Sequence, residues 1–139
     1  MNQNEASFRP AFTGQEQAEI KRLQADGLKK GIGYKIDPGT ASGILLTGAD
    51  KTLTGFMTAD CFGGSEIESA AIANNADDWA KMNAVLSRHA RQTGKKRILY
   101  ICDPKDTLVR QILDGLGLVA AFAEYRMELC PADFSPAPA

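Results

Sequence analysis

Residues 73–86 read ANNADDWAKMNAVL, and they are the place where this chain could hold an anionic cofactor. They follow a strand-like run and open a helix-like one. A strand running into a helix presents unpaired backbone N–H groups and the positive end of the helix dipole, and nucleotide-type cofactors commonly put their phosphates there. Yet the stretch has no glycine to let a phosphate approach the backbone, and no arginine. It carries Asp77 and Asp78 instead. Two unit charges about 5 Å apart repel by roughly 1 kcal/mol in water, so two aspartates facing a pyrophosphate cost several such terms. The same residues also make an ordinary helix start. Asn74 or Asn75 can cap it, and aspartates suit its first turn.

The other candidates for chemistry are sparse. Gly31-Ile-Gly33 is a fragment of a phosphate loop, but YKIDPGT follows it and no helix does, so a turn is expected. Cys61, Cys102 and Cys130 are widely spaced, odd in number and without a CxxC, which argues for reduced thiols and against a disulfide framework. His89 is the single histidine, so neither a zinc site of about four ligands nor a Cys61 nucleophile with a histidine base is expected. At 139 residues, 44% hydrophobic and 24% charged, one globular domain with its own core is expected. A net charge of −1, with few aromatics and none interleaved with basic residues, excludes a general pull toward nucleic acid. No apolar run approaches the roughly 18–20 residues that span a bilayer. MNQNEASFRP has no signal-peptide core, so a cytoplasmic location is expected.

The elements that must position these residues follow from periodicity and punctuation. SFRPAF (7–12) reads as a short strand. Thr13 and Glu16 form a capping box for a helix over 14–31, with Ala18, Leu23 and Leu28 as its apolar positions. Residues 43–48 and 52–62 make a hairpin, and Gly63-Gly64 turns the chain into a third strand over 65–73. On that strand Ile67, Ser69 and Ala71 share one face, and Glu66, Glu68, Ala70 and Ile72 the other. Trp79, Met82, Val85, Leu86, His89 and Ala90 recur at helical spacing up to Thr93-Gly94. KRILYICD (96–103) is a dense, buried strand, 105–117 a second amphipathic helix, and 118–129 one long alternating strand. The Pro/Ala-rich residues 130–139 read as a tail or linker after a single domain over 7–129.

This order, β-α-β-β-β-α-β-α-β, resembles the GNAT superfamily of acyl-CoA-dependent N-acyltransferases. FRPAFTGQEQAEI is similar to that family's opening strand and helix, and TLTGFMTAD to its strand ending in V-G-F. KKRILYICDPKDTLVRQILDGLGL is similar to its strand, turn, helix and L-G-F segment, with Leu118 in place of phenylalanine. The resemblance covers roughly residues 8–129. It implies an α/β (α+β) fold with a mixed central sheet, in which an antiparallel meander joins parallel strands that splay apart, flanked by helices. LYICD and AEYRMEL look more narrowly like the first module of tandem GNAT proteins, and the tail suits a linker to a second one.

The resemblance also implies a chemistry. The family holds acyl-CoA in a V-shaped gap between two parallel strands, with the acyl thioester on strand amides, here around residues 67–73. Its pyrophosphate sits on the amides of an R-x-x-G-x-G/A loop. Laid on this chain from Ile72 and Ala73, that loop puts Asp77 at the arginine, with Asp78 beside it, and Ala80 and Met82 at the glycines. The methionine is expected to crowd the approach. The family's tyrosine acid falls on Leu113, which cannot donate a proton, and Asp106 stands where asparagine is common. Tyr100 and Tyr125 are possible substitutes, and Glu66 and Glu68 are the candidate general bases. The implied activity is acetyl transfer from acetyl-CoA to a small-molecule amine at an atypical CoA site, with no metal. The alternative is a non-catalytic interaction or scaffolding module, paired with another GNAT domain or as a homodimer. A sensor that uses the gap for some other ligand is a third reading.

Overall fold

A computed structural model of the chain describes residues 5–32, 39, 42–61, 65–121 and 124–128. Gly33, residues 34–38 and 40 of the YKIDPGT segment, the Gly63-Gly64 turn, and everything from Leu129 on, including Cys130 and the tail, lie outside the described residues. So do the side chains of Cys61 and of 119–128, Tyr125 included.

The first strand, β1, is Glu5–Arg9, two residues earlier than periodicity suggests. Pro10 has no N–H for a ladder and ends it, and Phe12 turns into the core. Helix α1, Gly14–Lys29, starts on the expected capping box: Thr13 Oγ1 accepts from the Glu16 N–H, and Glu16 Oε1 accepts from the Thr13 N–H. Its buried face is not the expected one. Ile20, Leu23 and Gly27 face the core, while Ala18 is exposed and Leu28 is 65% exposed. Only Leu23 belongs to both sets. The i, i+3, i+7 spacing of the first three runs along one side of the helix, and the 18, 23, 28 series drifts around it.

Strands β2 (Gly43–Thr47) and β3 (Leu53–Thr58) form the hairpin, with a register shift at Leu46/Thr47. The next two expected strands are each broken in the middle. The chain leaves β3 at Ala59 and continues as β4 (Asp60–Cys61), then returns as β5 (Glu66–Ser69), which breaks at Ala70 into β6 (Ala71–Ile72). The breaks face each other. The Thr58 N–H donates to the Ala70 carbonyl at 2.9 Å, and the Ala70 N–H donates to Thr58 Oγ1 at 2.8 Å. This joint divides the strands between two sheets, ordered β1-β2-β3-β6 and β4-β5-β7-β9-β8, where β7 is Arg97–Ile101, β8 Val119–Ala121 and β9 Glu124–Glu128.

The long strand expected over 118–129 is in fact the β8–β9 hairpin, paired Val119↔Arg126 to Ala121↔Glu124. Folding back lets β9 pair antiparallel to β7 along all five of its residues. No glycine, proline or asparagine marks the turn in AAFAEY, so alternation reads straight through it.

Helices α2 (Ala76–Gln92) and α3 (Thr107–Gly115) cover one face of the joined sheets, where Ile44, Met57, Ile67, Met82, Leu86, Ile98 and Leu113 are all fully buried. Helix α1 covers the other face of the four-stranded sheet, packing Ile20 and Leu23 with Phe12, Leu45, Leu53, Phe56 and Ile72. Ile67, Ser69 and Ala71 are buried on the α2 side as the alternation requires, and Ile72 faces α1.

Candidate functional site

The site begins where the two sheets part. Strand β5 runs parallel to β7 in the register Glu66↔Arg97 through Ser69↔Tyr100. Past Ser69 the break at Ala70 carries β6 away to pair with β3, while β7 continues to Ile101 against β9. A gap opens between the diverging strands. Strand β6 is the edge of its sheet, so its backbone groups on the β7 side have no strand partner. The Ala70 amide is already taken by Thr58, so of the amides expected to hold an acyl group, this one is committed.

A cleft of about 400 Å³ adjoins the gap. Its walls are the end of α1 (Leu23, Asp26, Gly27, Lys30), the residues that follow and include the end of β6 (Ile72, Ala73, Asn74), and the start of α3 (Lys105, Asp106, Thr107). Two of the six residues expected at the cofactor loop, Ile72 and Ala73, therefore line it. Asp77, Asp78, Ala80 and Met82 do not. Asp77 and Ala80 are exposed on α2, and Asp78 is buried. Met82 is fully buried, with its Cε 3.1 Å from where a Cβ on Gly55 would stand. The glycine of TLTGF and the methionine of DDWAKM are thus one packing pair, and a smaller residue at 82 would leave a hole above β3. The first turn of α2 is capped: Asn75 Oδ1 accepts the Asp78 N–H at 2.8 Å.

The candidate acid–base residues divide between the two faces of the five-stranded sheet. On the face away from α2, Glu66 is bound to Arg97, its register partner, at 2.6 Å. Two residues along, Glu68 stands opposite Asp60 of β4, so two carboxylates are cross-strand neighbours. Both are half-buried, and burial pushes the Asp60 carboxyl above its ordinary range. Sequence reasoning missed Asp60. Its one signal was a register, opposite Glu68, that depends on the break at Ala59.

On the α2 face, Tyr100 is a core residue at the vertex of the gap. Its hydroxyl donates to Asn83 Oδ1, its ring lies 5.5 Å from that of Trp79, and burial pushes the phenol well above its usual range. Beside it in register, the Ser69 hydroxyl is buried without a hydrogen-bond partner. Leu113 is fully buried in this core, and Asp106 caps α3 by accepting the Val109 N–H at 3.2 Å. His89 lies far from any acid–base role, stacked on Phe8 with ring centroids 3.9 Å apart. Cys102 is a buried thiol that burial, then Asp106, pushes upward, which disfavours the thiolate a nucleophile requires. Among the described residues no three of His, Cys, Asp or Glu converge as a metal would require, and no helix is long and apolar enough to cross a membrane.

No protein-family model matches the chain, and no curated protein matches its sequence. Solved structures do match. An N-acetyltransferase from Staphylococcus aureus Mu50 superposes with a TM-score of 0.67 at 12% identity, over 91% of this chain and 99% of that one. The GNAT domain of S. lividans PAT gives 0.65 at 14% identity, over 89% and 90%. A GNAT-superfamily phosphinothricin acetyltransferase from Sinorhizobium meliloti, solved in complex with AcCoA, gives 0.61 at 9% identity, over 89% and 88%. The chain has the fold of the GNAT-superfamily acetyltransferases.

Proposed function

We propose that this chain transfers an acetyl group from acetyl-CoA to the nitrogen of a small-molecule amine. The observation that carries the reading is the gap itself: the parallel β5/β7 ladder stops at Ser69↔Tyr100, with the Glu68–Asp60 carboxylates one step away on the face opposite α2. The open β6 edge and the adjoining cleft fit an extended thioester. The start of α2, capped by Asn75 and carrying Asp77 and Asp78, fits a pyrophosphate poorly.

Within this reading Glu68, supported by Asp60, takes a proton from the amine as its nitrogen bonds to the thioester carbonyl carbon and the C–S bond breaks. A carboxylate pair in which one member is raised by burial is better matched to that task than an ordinary exposed acid. Glu66, tied to Arg97, serves the strand geometry instead. Tyr100 stands at the vertex and is the candidate donor to the departing thiolate on position alone, since burial makes its phenol a weaker acid and its hydroxyl is held by Asn83.

The test is calorimetric titration of acetyl-CoA into the full chain, followed by an amine screen with Glu68→Gln as the control. A ligand at 100 times its Kd stabilises the native state by about 2.7 kcal/mol, so a parallel thermal shift is easily read. No heat and no shift at millimolar acetyl-CoA would overturn the reading. That outcome would favour a second one, a non-catalytic GNAT-fold interaction module pairing with another such domain or with itself. Two observations support this alternative: the capped, acidic start of α2, and a fully buried leucine, Leu113, where the fold's enzymes are expected to carry an acid.

A further inference from the structure

We propose that Lys30 and Lys105, on opposite walls of the cleft between the end of α1 and the start of α3, form a phosphate-binding site. Resting on the reading above, the site takes the phosphates of the acyl-CoA donor, away from the start of α2.

Three observations converge on this pair. Both lysines line the same cleft although they belong to elements 75 positions apart in the chain. The Lys105 side chain reaches across to the turn that ends α1, where its Cδ lies 4.0 Å from the position of a Cβ on Gly31, the residue next to Lys30. Gly31 has φ +84°, a left-handed conformation that turns the chain sharply at that wall. Neither ammonium has an ion-pair partner among the described residues.

The two carboxylates that line the cleft are engaged on their own elements. Asp26 lies 3.6 Å from Arg22 and 3.9 Å from Lys29, and Asp106 accepts the Val109 N–H. The cleft therefore offers two uncommitted cations at its mouth and an apolar floor of Leu23 and Ile72 leading toward the gap. A compact ammonium on a flexible stem suits a phosphate oxygen. The start of α2 offers the reverse, with Asp77 exposed and Asp78 beside it. If acyl-CoA binds with its thioester at Ser69 and Tyr100, phosphates drawn to the lysines lie on the α1/α3 side, and the helix start that lacks glycine and arginine need not hold them.

The experiment compares three probes on the full chain by calorimetry: acetyl-CoA, 3′,5′-ADP as the phosphate-bearing end, and S-acetylpantetheine as the phosphate-free end. The variants are Lys30→Gln/Lys105→Gln, Lys30→Arg/Lys105→Arg, and Lys21→Gln/Lys96→Gln, which removes equal charge elsewhere on the surface. All these lysines are exposed, so the fold is retained, and circular dichroism checks it. An exposed charge pair is worth up to about fivefold in affinity, so losing both cations should weaken acetyl-CoA and 3′,5′-ADP by up to about 25-fold. S-acetylpantetheine should bind the double glutamine variant as it binds the wild type, the arginine pair should restore affinity, and Lys21→Gln/Lys96→Gln should change it less than about twofold.

Unchanged acetyl-CoA affinity in Lys30→Gln/Lys105→Gln overturns the site and leaves the acetyltransferase reading standing. An equal loss in Lys21→Gln/Lys96→Gln also overturns the site, because the effect would then be net charge. Lysine-dependent binding of 3′,5′-ADP without binding of acetyl-CoA supports the site and overturns the acetyltransferase reading. No binding of any probe at millimolar concentration overturns both.

Discussion

The four-stranded and the five-stranded sheets use their two faces differently. In the first, α1 packs on one side and α2 on the other, and β2 and β3 are buried at nearly every position. In the second, α2 and α3 cover the face of Ile67, Ser69, Ile98 and Tyr100. Among the described side chains the opposite face, Leu99 and Ile101 apart, carries half-exposed Asp60, Glu66, Glu68 and Arg97, and no described helix covers it. A sheet buried on both sides reads as a continuous apolar run, whereas one with a wet face alternates. The difference separates stability from chemistry: the first sheet is mainly a buried scaffold that contributes the open backbone edge of β6, and the second exposes ionisable side chains beside the gap.

The sharpest way to break this comparison is to substitute two packing positions, one in the four-stranded sheet and one on the helix over it, and one charged position of the five-stranded sheet. A Cβ on Gly43 would stand 2.3 Å from the Met57 carbonyl oxygen and 3.1 Å from both the Met57 carbonyl carbon and Thr58 Cα, all backbone atoms of the paired strand. Gly43→Ala should cost about 4 kcal/mol or more, a value reserved for severe backbone or core disruption, and urea unfolding would measure it. Met82→Ala should cost about 2–5 kcal/mol by opening a hole over Gly55. Glu68→Gln, on the wet face, should stay within about 0.5 kcal/mol. If Glu68→Gln destabilises as much as Met82→Ala, the wet face is structural and the division fails.

Activity should show the reverse order. Removing a general base lowers turnover by about 10²-fold, so Glu68→Gln should lose about that much acetyl transfer with little change in the Km for acetyl-CoA. Arg97→Gln should change turnover far less, because it frees Glu66 and leaves the Glu68–Asp60 pair in place. Equal losses in the two variants would show that the Arg97–Glu66 pair is as necessary as Glu68, and the assignment of the chemistry to the Glu68–Asp60 pair alone would fail.

The parts of this division that were legible in sequence are those that local chemistry dictates. Thr13-x-x-Glu16 announced a helix start because both halves of the capping box lie within one turn. Ile67 and Ser69 were placed on the right face because the period of a strand is two. What failed depended on distant partners. The packing of the methionine at 82 against Gly55, 27 positions earlier, could not be read from the helix alone. Asp60 and Lys105 were invisible as site residues because their significance lies in register with Glu68 and proximity to Gly31, which no local pattern encodes. The turn between β8 and β9 lacks turn residues, so tertiary pairing with β7 decides it.

A smaller effect tests the start of α2. Asn75→Ala removes the side chain that accepts the Asp78 N–H and should cost about 1 kcal/mol in denaturant unfolding. It also leaves that N–H available. If acetyl-CoA then binds more tightly, the cap was competing with phosphate at α2. If affinity is unchanged, the phosphates lie elsewhere, as the lysine cleft requires.

The smallest effect, the pH dependence of stability, separates the regions by sign. His89 on α2 packs against β1 of the four-stranded sheet, and burial first, then Lys95, holds its pKa below the ordinary histidine value of 6.5. The unfolded chain then binds the proton more readily than the folded one, so stability falls as pH drops below about 6.5 and is unaffected by this group above about 7. Asp60, in the five-stranded sheet, has its pKa raised by burial from the ordinary 3.8. Here the folded chain holds the proton more readily, so stability falls as pH rises from about 4 through the raised value, and the cost persists at neutral pH. His89→Gln should flatten the decline below pH 6.5, while the lost stack on Phe8 lowers the melting temperature by the same amount at every pH. Asp60→Asn should raise the melting temperature at pH 8 while lowering acetyl transfer, the pairing expected of a group held in an unfavourable environment for its chemistry. If Asp60→Asn instead lowers the melting temperature and leaves acetyl transfer unchanged, the carboxylate is a structural partner on that face, and Glu68 acts as base without it.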